Sequence, residues 1–290
     1  MNSNISGKKQ NYRPLKRFGQ HWLKSEKVLD KIILAAEIDK GSLAEDEVVS
    51  DRILEIGAGT GILTRRLLEV SSAVISIEID RNLCKKLLSK FGDFDNFLLL
   101  QGDFITLNIA ELLEQFPPFQ NPNKIVANIP YNITGLILEK IFGTIERPAV
   151  NNYESVVLLI QKEVGDRLVA KPGTKAYSGL SVRMQYLAHC ELVCDVPSKA
   201  FYPPPKVDSV VVKLRPKIID NPANNPQLLG TLIKLGFANR RKMLKNNLKS
   251  LITVEELTTI LEKLAINPQS RAENLSVRDW IKLSNNFPQI

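Results

Sequence analysis

Cysteine and histidine are scarce in this 290-residue chain: Cys84, Cys190 and Cys194 of the first, His21 and His189 of the second. No CxxC pair occurs and the residues are scattered, so no zinc or other metal centre is expected. Three cysteines cannot make a secreted disulfide framework either, and Cys190 and Cys194 read as buried thiols in a reducing compartment. No apolar run approaches the roughly 18 residues of a membrane span, and the N-terminus lacks the apolar stretch of a signal peptide. These absences point to a cytoplasmic protein, with no membrane attachment, stabilised by packing. Hydrophobic residues make up 44% of the chain, enough for a core and too many for general disorder.

Charge is not scarce, and its placement is informative. The formal net charge is +8. Residues 1–27 hold seven Lys/Arg against one Glu, and residues 217–290 hold eleven against six acids, while the middle is slightly acidic. Basic ends on a near-neutral middle suit a polyanion held from two sides. On charge alone, solvated ends explain the pattern equally well.

The length admits one ordinary domain with a smaller one beside it. Residues 1–13 are polar and basic, with few anchors. Ser25 is a fitting N-cap for an amphipathic helix carrying Val28, Leu29, Ile32 and Ile33. After an acidic connection at 39–50, apolar runs at 51–56, 73–77, 97–100, 124–127 and 155–160 read as strands. Helical patterns alternate with them, including Leu63, Leu67 and Leu68 on one face, then 81–90, 108–115, 134–143, 162–169 and 180–188. Such alternation predicts a doubly wound, mainly parallel α/β sheet. Two last strands, 192–196 and 208–214, flank a Pro-rich loop and read as a hairpin adding an antiparallel strand at the edge. An Asn- and Pro-rich linker at 218–226 then gives way to helices only, at 227–237, 238–250, 254–264 and 276–285. The expected division is therefore 1–217 and 218–290.

Gly57, Gly59 and Gly61 lie between the first strand and its helix, where the backbone can turn tightly and approach a ligand. Glu78, closing the second strand, is placed to accept from both hydroxyls of a ribose. A dinucleotide site wants GxGxxG facing a pyrophosphate, but the sixth position here is Ile62. S-adenosylmethionine has no phosphate and suits the loop better. Asp103, after the third strand, can accept from an adenine amine, or can simply cap its turn.

Asn128-Ile129-Pro130-Tyr131-Asn132 follows the fourth strand. An adenine amine is a poor nucleophile because its lone pair is delocalised, so transfer onto it needs acceptors that draw it toward tetrahedral geometry. The Asn128 side-chain carbonyl and the Ile129 backbone carbonyl can accept its two N–H groups, Pro130 stiffens the turn, and Tyr131 can stack on the ring. The plainer reading makes Asn128 a turn residue and Tyr131 core. Phe201 can supply an opposing ring, or be loop packing. Arg241, Lys245 and Lys249, at i, i+4 and i+8 with Arg240 and Lys242 beside them, form a basic stripe suited to an RNA backbone. Phe237, Leu244, Leu248 and Leu251 form a separate apolar stripe. A basic run of this kind also occurs as a solvated face.

Taken in order, these segments resemble the bacterial ribosomal RNA adenine dimethyltransferases, specifically those acting on the small subunit. The resemblance rests on Arg17-Phe18-Gly19-Gln20-His21-Trp22-Leu23, Leu54-Glu55-Ile56-Gly57-Ala58-Gly59-Thr60-Gly61, Ile77-Glu78-Ile79-Asp80 and Gly102-Asp103. It extends through Asn128-Ile129-Pro130-Tyr131-Asn132, Phe201-Tyr202-Pro203-Pro204-Pro205-Lys206-Val207-Asp208-Ser209 and Phe237-Ala238-Asn239-Arg240-Arg241-Lys242. It implies a Rossmann-like S-adenosylmethionine-dependent methyltransferase domain and a small helical domain engaging RNA. The implied reaction dimethylates N6 of two adjacent adenosines near the 3′ end of 16S rRNA, within the small (30S) subunit or its precursor, by a monomer.

The resemblance also implies cofactor contacts at His21, Leu23, Gly57, Glu78, Asp103 and Asn128, and target-base roles for Asn128, Ile129, Tyr131 and Phe201. One departure stands out: the family usually has Asn-Phe where this chain has His21-Trp22, which favours a backbone contact at His21 over a side-chain one. Alternatives are a large-subunit (23S) dimethyltransferase of the macrolide-resistance type, a non-catalytic assembly or transcription factor on the same fold, and a small-molecule methyltransferase. The Phe201–Ser209 segment and basic helix argue against the first, the intact motifs against the second, and the basic ends against the third.

Overall fold

In the computed structural model, which describes residues 19–39, 41, 50–150, 153–218 and 221–288, the apolar runs become strands and the 3.6-periodic segments helices. The basic segment 1–18, with Arg17 and Phe18, and most of the acidic connection 39–50 lie outside the described residues. The order begins β1 (Trp22–Leu23), α1 (Glu26–Ala36), β2 (Arg52–Ile56), α2 (Ile62–Val70), β3 (Ala73–Glu78), α3 (Arg81–Phe91), β4 (Phe97–Gln101) and α4 (Ile109–Leu113). It continues β5 (Lys124–Asn128), α5 (Thr134–Phe142), β6 (Ser155–Gln161), α6 (Lys162–Leu168), α7 (Gly179–Leu187), β7 (Ala188–Val196), β8 (Phe201–Tyr202) and β9 (Ser209–Pro216). The C-terminal helices are α8 (Pro226–Gly236), α9 (Leu244–Asn247), α10 (Val254–Lys263) and α11 (Val277–Asn285).

Seven strands form one Rossmann-like sheet in the order β4-β3-β2-β5-β6-β9-β7. From β4 to β6 every pairing is parallel. Helices cover both faces, so β3 is buried along its whole length, apolar but for the hydrogen-bonded Ser76 and Glu78. The late hairpin forms at the sheet's edge, with β9 running antiparallel to β6 on one side and to the outermost strand, β7, on the other. Cys190 and Cys194 on β7 are half-buried, not fully buried as expected, because an edge strand has cover on one side only. Burial still pushes the Cys190 thiol up to about 12.

Two features place the site. The chain steps outward from β2 through β3 to β4, then returns to the far side of β2 as β5, so the carboxyl ends of β2 and β5 part and leave a crevice. At the opposite end the strands are pinned: Lys124 Nζ meets Asp51 Oδ2 at 2.7 Å, and Asn123 Nδ2 donates to Asp51 Oδ1 at 2.7 Å. Both charges are buried, so removing either partner would leave the other uncompensated.

The C-terminal helices share a core with the sheet. One contiguous buried cluster includes Leu54 and Ile125 of the sheet, Tyr177 before α7, Leu229 of α8 and Trp280 of α11. The continuous helix expected over 238–250 does not form. α8 stops at Gly236, where a Cβ would stand 2.5 Å from the Trp280 ring, and turns occupy 237–242. Asn247 Nδ2 donates to the carbonyls of Gly236 at 2.6 Å and Asn239 at 3.0 Å, satisfying groups a helix end leaves open. Met243 is extended, and the Leu244 N–H reaches the Ser270 carbonyl at 2.8 Å. The redirected chain buries Leu244 and Leu248 completely, which gains more than a continuous exposed helix would. Arg241, Lys245 and Lys249 therefore do not share one helical stripe.

Candidate active site

A cavity of about 260 Å³ opens where β2 and β5 part. Its floor is the glycine loop, whose Gly57, Gly59 and Gly61 take φ of +73°, +59° and +78°, a region L side chains rarely adopt. A Cβ on Gly59 would come within 3.2 Å of the Trp22 ring, and one on Gly61 within 2.5 Å of Phe91, so these two positions have no room for a side chain.

Glu78, at the end of β3, is buried beside this floor. Its Oε2 accepts from the Gly59 N–H at 2.8 Å and its Oε1 from the Asp80 N–H at 2.9 Å. Burial raises its pKa, opposed by those two N–H groups. Asp103 lies on the same wall and uses Oδ1 to accept from the Ile105 N–H at 2.9 Å, so it does cap its turn while facing the cavity. Lys140 steadies that turn, donating to the carbonyls of Ile105 at 3.0 Å and Leu107 at 2.6 Å with its Nζ 5.1 Å above the Phe104 ring.

Sequence reasoning passed over Glu55 as a site residue. It lies on β2, lines the cavity, and is almost fully buried, with Oε2 accepting from Thr64 Oγ1 at 2.7 Å and Ser76 Oγ at 2.6 Å. Burial lifts its pKa to about 7, against the two hydroxyls and with a smaller push from Glu78. A lone carboxylate in the otherwise apolar Ile53-Leu54-Glu55-Ile56 was the available signal.

The opposite wall carries Asn128, Ile129 and Tyr131. Asn128 Nδ2 donates to the His21 carbonyl at 3.2 Å, and among the described residues its Oδ1 receives no hydrogen bond. Tyr131 stacks on the His21 ring, centroids 5.9 Å apart and planes at 18°, and its hydroxyl meets Ser209 Oγ at 2.5 Å. Burial raises the Tyr131 pKa, against the Ser209 hydrogen bond. His21 Nδ1 donates to the Pro203 carbonyl at 2.7 Å. The His21 side chain is thus committed to the Tyr131 and Pro203 side, and its backbone carbonyl to Asn128. Leu23 lines the cavity from β1.

Phe201 is placed differently from its expected position. Its ring is 1% exposed, packed in the core cluster with Leu23 and Val211, and is not among the cavity residues. The cause is β1, whose Leu23 pairs with Phe201 and turns both inward. The basic residues also divide. Arg240 Nη2 contacts the carbonyls of Lys175 at 2.7 Å and Tyr177 at 2.9 Å and Glu273 Oε2 at 2.7 Å, tying the C-terminal helices to the loop before α7. Arg241, Lys242 and Lys249 are exposed and Lys245 half-buried.

The cavity fits an adenosine carrying a cationic tail. Glu78 and Asp103 offer carboxylate acceptors on one wall, and Gly57 and Gly59 let a ligand approach the backbone closely. Glu78 and Asp103 together make a wall that would repel a pyrophosphate and complement a positive charge, with Glu55, its pKa lifted to about 7, beside them. Among the described residues no group of three metal-ligating side chains comes together.

Fold and site define a methyltransferase of the Rossmann-like class that uses a nucleoside methyl donor. The profile of the family described as ribosomal RNA adenine dimethylase matches residues 12–289, and the chain belongs to that family. It is 57% identical over 273 residues to "Ribosomal RNA small subunit methyltransferase A" of Nostoc sp. (strain PCC 7120 / SAG 25.82 / UTEX 2576), covering 94% of this chain and 97% of the relative. The protein of that name in Picosynechococcus sp. (strain ATCC 27264 / PCC 7002 / PR-6) is 57% identical over 280 residues, covering 96% and 99%. Among solved structures, a dimethyladenosine transferase from Plasmodium falciparum superposes with a TM-score of 0.71 at 31% identity, covering 91% of this chain and 96% of its own. The 23S rRNA methyltransferase ErmE superposes with a TM-score of 0.68 at 24% identity, covering 92% and 100%, a likeness of fold.

Proposed function

We propose that this protein is the small-subunit rRNA adenine dimethyltransferase of its organism, methylating N6 of two adjacent adenosines near the 3′ end of 16S rRNA. The observation that carries the reading is the Asn128 amide. Its nitrogen is committed to the His21 carbonyl, which leaves its oxygen as the acceptor for an incoming N–H. Near-full-length identity to proteins named for the small subunit favours that substrate over the large-subunit alternative, for which the likeness is one of fold. The intact glycine loop, Glu78, Asp103 and Asn128–Tyr131 favour an enzyme over a non-catalytic relative.

S-adenosylmethionine, when bound, supplies an electrophilic methyl group on a sulfonium. Gly57 and Leu23 border its place, Glu78 would hold the ribose hydroxyls, and Asp103 the adenine amine. Asn128 Oδ1 and the Ile129 carbonyl would accept the two N–H groups of the target amine, drawing its lone pair out of conjugation and toward the methyl carbon. Tyr131, braced by His21 and Ser209, would hold the base by its face. The nitrogen becomes acidic once alkylated and loses its proton to solvent, so no strong general base is required. In this scheme Phe201 closes the other face only after leaving its core position, and Arg241, Lys242, Lys245 and Lys249 meet the RNA backbone while Arg240 holds the helices in place. We further place the division between methyltransferase and helical parts at 217/218, and the working form as a cytoplasmic monomer on the 30S subunit or its precursor. Among the described residues no helix is long and apolar enough to cross a membrane.

The test is labelled methyl transfer from S-adenosylmethionine to small subunits lacking this modification, with mass mapping of the product. The expected label is in N6,N6-dimethyladenosine at two neighbouring positions of 16S rRNA. No label in 16S rRNA, or label that does not map to N6,N6-dimethyladenosine, would overturn the reading.

A further inference from the structure

The β1–β8 ribbon holds two residue pairs, and they face opposite ways. Leu23 and Phe201 point into the core, with 5% and 1% of their surface exposed. Trp22 and Tyr202 pair on the other face, since directly opposed residues share a side of the ribbon. Trp22 lines the cavity and reaches to within 3.2 Å of where a Gly59 Cβ would be. Tyr202 therefore shares the Trp22 face of the ribbon, is 59% exposed and is not itself a lining residue. Its chain neighbour Pro203 is held by His21 Nδ1, and His21 stacks on Tyr131. The backbone beside the ring is consequently tied to the scaffold that holds Tyr131, and the ring stands outside the cavity lining.

Three lysines lie close to the ribbon in sequence. Lys24, Lys199 and Lys206 are all exposed, and none of them forms an ion pair among the described residues. Asp208, the acid nearest in sequence to Lys206, uses Oδ1 to accept from the Ser198 N–H at 2.8 Å. An exposed aromatic ring among free cations is the arrangement that takes a single-stranded nucleotide, the ring stacking on the base and the cations on its phosphates.

We propose that Tyr202 is a stacking platform for the nucleotide next to the target adenosine, holding it at the rim while its neighbour enters the cavity. The inference rests on the RNA-methylating reading above. An outer position follows from exposure, because a ring mostly in solvent and outside the lining can meet only a base that has not entered. Such a platform would matter here in particular, since the proposed substrate presents two adjacent adenosines and one must wait outside while the other reacts.

The experiment uses the full-length protein and a 16S 3′-end RNA hairpin carrying 2-aminopurine beside the target adenosine. Wild-type protein should quench the probe on binding, Tyr202→Phe should quench it equally because the ring is kept, and Tyr202→Ala should not. Loss of one base–aromatic stack should raise the KM for RNA by about tenfold, with cofactor affinity and kcat little changed. Equal quenching by Tyr202→Ala and wild type, or a loss confined to kcat, would overturn the proposal. Labelled methyl transfer by the wild type to small subunits lacking the modification separates this from failure of the parent reading: if the wild type transfers no methyl group to their 16S rRNA, it is the parent reading that has failed.

Discussion

The two walls of the cavity are built by different means. The donor-side wall is local: a strand, a glycine loop, a helix and the next strand's final carboxylate, locked by N–H bonds from Gly59 and Asp80 to Glu78. The base-side wall is assembled from afar. Asn128 bonds to His21 across 107 positions, Tyr131 to Ser209 across 78, and His21 to Pro203 across 182. A wall made of adjacent backbone presents a fixed shape, whereas one made of three converging loops can adjust as a base is inserted. That division suits an enzyme whose donor is the same in every turnover while its acceptor changes from an amine to a methylamine on two neighbouring bases.

The comparison is broken most severely at Asn128. Asn128→Ala should lower transfer by about a hundredfold or more, the usual cost of losing an aimed polar group at a reacting centre, while RNA affinity by fluorescence anisotropy stays close to wild type. Equal loss of binding and transfer would remove the orienting role. On the other wall, Glu78→Ala should weaken S-adenosylmethionine in calorimetry by about tenfold or more, as expected for losing hydrogen bonds to a charged group, and leave RNA binding alone. Because the same change strands the Gly59 and Asp80 N–H groups, Glu78→Gln is the companion variant; unchanged cofactor affinity in both would refute the ribose assignment.

The smallest effect concerns Glu55 and pH. Its folded-state pKa of about 7 lies above the ordinary 4.5, so the folded chain holds this proton more tightly than the unfolded one. Stability should fall as pH rises from about 4.5 to 7 and level off beyond. Glu55→Gln should flatten that part of the melting-temperature profile, leaving the slope due to Glu78, whose pKa is raised in the same direction. An unchanged profile would mean that Glu55 is ionised throughout.

Apart from Glu55, the donor-side wall was legible in the sequence because its parts lie close together along the chain and each has a local signature. The base-side wall was legible only as separate motifs. Two-residue strands such as β1 and β8 have no periodicity to detect, and without their register nothing distinguishes inward Phe201 from outward Tyr202. At 237–251 the apolar spacing of Leu244 and Leu248 did foretell burial, but two turns and an extended Met243 achieve it in place of a helix. Side-chain caps such as Asn247 on Gly236, which decide between those routes, depend on what lies across the fold.

The tie made by Arg240 has a thermodynamic meaning for the chain as a whole. Beside it, Glu273 takes the Gly173 N–H on its carbonyl at 2.6 Å, and the rings of Tyr177, Phe237 and Trp280 pack in succession. The proposed division at 217/218 is therefore one of topology and not of packing. Cutting there would strip Tyr177, wholly buried in the intact chain, of its cover and leave a sticky fragment in place of a smaller enzyme. The helices and the sheet should melt together as one cooperative unit.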